Sequence, residues 1–207
     1  MQMASEILFW ACKVPKHVPI LSGLEGFDDD FEINEGLAHA HDFPSDAVFR
    51  FDPDYPNDTL LADQHRNTNS FVLVSKRVQE LLTSAGGPEL ELLQVKVLDH
   101  KKRDVGAPYF IVHPVGTVAC LNRPACNILE EDEFGIEKLG KLVVESQKIP
   151  KDRLIFRIEN LSRYVCVRRE LAQTIDKAGF TGIRWVEPTE LEGRDLPADL
   201  TSLPPRT

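Results

Sequence analysis

Apolar positions in this chain follow two periods, and one combination of them occurs twice. Residues 71–86 read FVLVSKRVQELLTSAG and residues 164–179 read YVCVRRELAQTIDKAG, aligning without a gap at an offset of 93 residues. Val72/Val165, Val74/Val167, Ala85/Ala178 and Gly86/Gly179 are identical, and nearly all other positions keep their apolar or polar character. In the first copy Phe71 to Val74 is an aromatic and β-branched run that suits a strand. Ser75 is placed to cap a helix, and Val78, Leu81, Leu82 and Ala85 fall on one helical face. Gly86 stands where a left-handed residue closes the last turn, and Leu90 to Leu98 reads as the next strand. The second copy repeats this with Tyr164 to Val167, then Leu171, Ile175 and Ala178 inward, Gly179, and Ile183 to Val186. Two ordinary strand–helix units would share part of this grammar, but the gapless match favours one strand–helix–strand unit used twice.

The rest of the chain is patterned less regularly. Residues 5–12 (SEILFWAC) predict a strand with Phe9 and Trp10 covering or edging a sheet, and Val48 to Phe51 a brief one. Between them, glycines, prolines and acidic clusters predict loops. The run ELELLQVKVL switches its apolar phase between Leu92 and Leu93, which predicts a bulge. Tyr109 to His113 and Thr117 to Leu121 read as a hairpin around Pro114 to Gly116. Leu142 to Val144 and Leu154 to Ile158 are two further strand candidates. The segment after Pro188 has no periodicity and reads as a flexible, Pro-rich tail. The expected fold is therefore α+β: a mixed, mostly antiparallel sheet with two repeated strand–helix–strand units (residues 67–188), an irregular acidic N-terminal lobe (1–66) and the tail (189–207).

Composition changes the picture mainly through charge. The chain has 207 residues and a net charge of −9. Residues 1–66 hold four basic against thirteen acidic side chains, whereas the remainder holds twenty of each, so the whole excess lies in the first third. This asymmetry points to an electrostatic surface for a basic partner or to a solvated acidic face, and it disfavours nucleic acid, which needs a basic stripe. The apolar run Ile7 to Cys12 is too short for a signal peptide core or a membrane helix, so a cytoplasmic location with no membrane partner is expected. Cys12, Cys120, Cys126 and Cys166 form no CxxC pair and read as reduced thiols.

Candidate chemistry is sparse. The sequence holds no GxxxxGK[ST], no GxGxxG after a strand and no GxSxG, and no cofactor is expected. His39-Ala-His41-Asp42 could aim two imidazoles and a carboxylate at a metal for a metal-dependent hydrolase, but four ligands at defined spacing are missing and two loop histidines are the simpler reading. Cys120 and Cys126 with His113 lack an orienting third group and read as structural. Asp52 and Asp54, and Glu130 to Glu133, read as solvated faces rather than acid–base pairs.

Several stretches resemble a bacterial family first described as a domain of unknown function and now grouped with polymorphic-toxin immunity proteins, the type-eleven immunity group. They are Phe71 to Ser75 leading into its helix, the ELELLQVKVL strand, the strand with Tyr109, Ile155-Phe-Arg-Ile158 near Ile149-Pro150, and the closing Ala178 to Ile183. The resemblance covers roughly residues 60–188. It implies a protein that binds a cognate toxin and blocks it without catalysis, and it brings no catalytic residues. A regulatory or scaffold protein is the alternative. Aromatic anchors and charged rims dominate interfaces, so Trp10, Phe27, Asp28, Asp29, Asp30, Phe31, Asp52, Asp54 and Tyr55 are the partner-binding candidates, although each aromatic would equally suit a core.

Overall fold

The two copies of the repeated pattern fold into the same unit, one in each of two five-stranded sheets. The computed structural model describes residues 5–203 apart from 86 and 88, with the side chain of Asp30 also left out. In chain order the elements begin with β1 (Ile7–Cys12), α1 (Asp30–Glu35), β2 (Val48–Arg50), β3 (Gln64–His65), β4 (Leu73–Ser75), α2 (Lys76–Ala85), β5 (Leu90–Leu98) and β6 (Tyr109–Pro114). They continue with β7 (Thr117–Val118), β8 (Asn127–Asp132), β9 (Gly135–Lys141), β10 (Ile155–Ile158), β11 (Leu161–Arg168), α3 (Arg169–Lys177), β12 (Ile183–Val186) and β13 (Arg194–Asp195). The sheets run β2-β5-β6-β4-β3 and β12-β1-β11-β10-β7, with a smaller sheet β13-β9-β8. The α+β expectation holds.

Each unit is a split one. The strands flanking the helix, β4 with β5 and β11 with β12, do not pair with each other, because a third strand antiparallel to both lies between them. That strand is β6 in the first unit and β1 in the second. An antiparallel strand also precedes each copy, β3 before β4 and β10 before β11, so the repeat is one strand longer than its sequence signature. Gly179 has φ 69° and its N–H bonds to Asp176 O, closing α3 as expected. Gly86 lies outside the described residues. Ser75 does not act as foreseen: its hydroxyl donates to the Asp63 carboxylate at 2.8 Å. The other oxygen of Asp63 accepts the N–H of Thr181 at 2.9 Å, joining the first unit to the start of β12 in the second.

Alternation along the strands distributes the core. Val72, Val74, Val78 and Leu82 of the first unit share one apolar cluster with Val165, Val167, Leu171 and Ile175, their counterparts in the second. The opposite faces are covered as well. Ile7, Phe9, Tyr164 and Cys166 pack under β9 and the C-terminal segment, while Leu73, Leu93, Val95, Tyr109 and Ile111 pack under Leu21, Ile33, Phe49 and Phe51. Sheets covered on both faces read as continuous apolar runs, and β1 and β6 are buried along their whole length.

This double cover corrects several expectations. β5 pairs with β6 in unbroken register from Leu90 to Val95, so there is no bulge. Leu90 and Leu92 face the helical core, Leu93, Val95 and Val97 the other one. The hairpin after Tyr109 does not form, because β6 stays in one sheet and β7 crosses to pair in parallel with β10 in the other. Residues 127–141 form the hairpin instead, and of residues 142–144 only Val144 makes a bridge, to Leu121. The segment after 188 is docked through Leu191, Leu196, Leu200 and Leu203, four leucines without a regular period, so up to residue 203 it is not a free tail. Residues 204–207 lie outside the described residues. The N-terminal third supplies β1 to the interior of one sheet and both edge strands, β2 and β3, to the other, with α1 and irregular chain between β1 and β2.

Candidate functional site

The stretch DDDFEINEG folds as one short helical turn because Ile33 is buried while Gly36 closes it at φ 79°. Gly36 is required there: a Cβ would lie 3.1 Å from Gly116 N, whose N–H donates to Gly36 O at 2.7 Å. Glu35 accepts the Ser162 hydroxyl at 3.1 Å, and Ser162 O accepts from the buried Arg157 guanidinium. Burial pushes Arg157 down to about 10. So α1 is pinned to β11 on one side and to the β6–β7 crossover on the other. Phe31, two residues from Ile33, points outward and is 54% exposed.

The hairpin β8–β9 is anchored separately. Asp132 pairs with Gly135, so Glu133 and Phe134 form the tip, and the Asp132 carboxylate accepts the Phe134 N–H at 2.8 Å. Gly135 has φ 128° and a Cβ there would lie 2.6 Å from Asn160 O, while Ile136 N–H donates to the same oxygen at 2.9 Å. Arg123 donates to both oxygens of Glu131 (3.1 and 2.6 Å) and to Asn160 Oδ1 at 3.2 Å, and its bond to Glu131 holds that carboxyl below its usual range. Arg163 pairs with Glu137. The tip is thus clamped on the β10–β11 turn, and Phe134 stands 58% exposed.

These two mounts bring Phe31 and Phe134 together edge to face, ring centres 6.1 Å apart at 90°. Around them lie the exposed carboxylates of Asp28 and Asp29 leading into α1, and of Glu130, Asp132 and Glu133 at the hairpin. The ring contact therefore brings the segments that carry two acidic runs, a hundred residues apart in sequence, next to each other. Asp28 to Phe31 are candidates from the sequence, whereas Phe134, just ahead of the apolar Ile136 and Leu139, is not among them. Only the latter two are buried. The Asp-Glu-Phe-Gly order after an acidic run was the available turn signal for an outward Phe134.

The other candidates scatter. Trp10 is 3% exposed, donates to Gln64 Oε1 at 2.8 Å and meets Trp185 at 5.1 Å, so it belongs to the core rather than to a partner. Phe27 is half-buried against His39 and Phe43. Asp30 opens α1, with its side chain outside the described residues. Asp52, Asp54 and the exposed Tyr55 sit past the far end of β2, with Leu60 and Leu61 exposed nearby in sequence. His39 is buried and its Nδ1 lies 3.3 Å from Asp42, whereas His41 is exposed, so the three do not converge. Among the described residues no group of three or more His, Cys, Asp or Glu side chains is placed to hold a metal ion. Burial pushes Cys12 up to about 12 and Cys120 to about 11, so both thiols are protonated at neutral pH.

Beneath α1, His113 Nε2 lies 2.6 Å from Leu37 O, which only accepts, so Nε2 carries the proton and Nδ1 is left bare and without a partner. Burial pushes His113 down to about 4, with Arg157 and His39 adding to it and the Leu37 carbonyl and Glu91 opposing. The unfolded chain takes up this proton near pH 6.5 and the folded one only near 4. The contribution to stability is complete above pH 6.5 and is lost as pH falls toward 4, by about 3 kcal/mol. Urea titrations at pH 7 and 4.5 are expected to differ by about 2–3 kcal/mol less in His113→Gln than in the native chain. Equal differences would show that His113 does not set this dependence.

No curated protein matches the sequence. A family model does: the Immunity protein family (Imm11) matches residues 13–189, reaching well beyond the repeated units into the acidic N-terminal third. With most of its length matched, the chain belongs to the Imm11 immunity protein family.

Proposed function

We propose that this chain neutralises a cognate bacterial toxin by direct association, acting in the cytoplasm as a non-catalytic inhibitor with no cofactor and no nucleic-acid partner. Membership of an immunity protein family over residues 13–189 carries this reading. The protonated thiols and the divergent His39 and His41 agree with a binding role rather than a nucleophilic or metal-assisted one. No helix among the described residues is long and apolar enough to cross a membrane. The concentration of negative charge in the first third favours a basic partner, whose approach it would accelerate.

The test requires a candidate toxin, sought as the C-terminal domain of a large reading frame beside this chain's own. Co-expression is expected to restore growth, and the two purified proteins are expected to elute as one complex. Persistent toxicity with no complex would overturn the reading. A complex without protection would point to a regulatory or scaffold role.

A further inference from the structure

We infer that the toxin docks on the face built by α1 and the β8–β9 tip, with Phe31 and Phe134 as its anchors and a Lys- and Arg-rich surface as the partner's contribution. The inference rests on the proposed direct association and adds where it happens and what chemistry meets it.

Singly exposed phenylalanines are ordinary, but here two rings from elements far apart in sequence are held edge to face with more than half of each exposed. Their backbones are fixed by close approaches to neighbouring segments. Gly36 and Gly116 approach closely enough to exclude a side chain, and Gly135 does the same against Asn160. A pair mounted this way loses little freedom when covered, which is what makes an aromatic residue an effective anchor. The rim is acidic on both sides: Asp28 and Asp29 precede the first ring, and Glu130, Asp132 and Glu133 flank the second. Glu131 is answered by Arg123 and Lys138 by Asp195, so the neighbouring cations are already engaged. An apolar centre with a net negative rim is complementary to an apolar socket ringed by lysine and arginine, and the rim would govern the rate of encounter while the rings govern its lifetime.

The 52–61 loop, with Asp52, Asp54 and the exposed Tyr55, lies past the other end of β2 and serves as an internal control. Binding to the purified toxic domain from the neighbouring reading frame is measured for the full chain and three variants. Phe31→Ala with Phe134→Ala is expected to weaken binding by about 100-fold or more, chiefly through faster dissociation. Asp28→Asn, Asp29→Asn with Glu133→Gln is expected to slow association by about 10-fold at low salt and to flatten its salt dependence. Asp52→Asn, Asp54→Asn with Tyr55→Ala is expected to change neither. The substituted residues are exposed except Asp52, which is half-buried, and unchanged urea midpoints verify folding of each variant. If the native chain binds but the first two variants bind as it does, the docking face is wrong while the proposed function stands. If the native chain neither binds nor protects, both fall.

Discussion

Replacing Phe9 with alanine is expected to lower the unfolding free energy by about 3–5 kcal/mol. The ring is fully buried in the middle of β1, where its residue pairs with Cys166 on one side and Val186 on the other, and it meets Tyr164 edge to face at 6.0 Å. Cys166 and Val186, its partners on the two sides, are both fully buried, so the surroundings cannot close over the vacated volume and the cavity adds to the lost transfer energy. Against a total stability of about 5–15 kcal/mol this is a large fraction. Phe31→Ala removes the same atoms from a position 54% exposed and should cost under about 1 kcal/mol. Paired urea denaturations decide the matter: similar losses in the two variants would mean that β1 is not a buried interior strand of its sheet.

Gly182→Ala is expected to cost about 2–5 kcal/mol, against about 1–2 for Gly179→Ala. Both glycines have positive φ, 85° and 69°, so both alanines pay the penalty of a left-handed backbone. They differ in what surrounds them. At Gly179 nothing lies within 4 Å of an added Cβ, whereas at Gly182 the Cβ would press on the Gln64 carbonyl oxygen, with Gln64 C at 3.2 Å and N at 3.3 Å. All three atoms are backbone of β3, and Gln64 also receives the Trp10 indole, so it cannot retreat without opening the seam between the two units. Thermal unfolding of the two variants isolates that contact. Equal shifts would show that the seam is looser than the geometry indicates.

Much of the architecture is legible in the sequence, because a strand followed by an amphipathic helix is a local pattern. The repeat was visible in Val72, Val74, Val165 and Val167, and their convergence in one core is what a duplicated packing motif produces. Pairing is not local. That β1 separates β11 from β12, or that β7 leaves β6 for β10, depends on contacts between distant residues that no window of sequence contains. Leu90 to Val97 misled because a strand covered on both faces offers two apolar phases at once, which mimics a slip in one. The C-terminal leucines misled for the opposite reason: they dock through isolated turns, so no period announces them. At the candidate site, Asp28, Asp29 and Phe31 were legible as an acidic run around an aromatic, but Phe134 gained its meaning only when α1 was laid beside it.

The placement of β1 has a consequence for synthesis. Its partners begin at Leu161, so the six-residue strand Ile7–Cys12 emerges from the ribosome long before either neighbour exists. At about 5–20 residues per second the delay is roughly 10–30 s. The first unit draws its inner strand, β6, from just after β5 and can close early, while the inner strand of the second, β1, is made first and must wait for both of its neighbours. A nascent chain of this protein therefore carries an unpaired ILFWAC segment until residues 161–186 are made, and that segment is where a holding chaperone would be engaged.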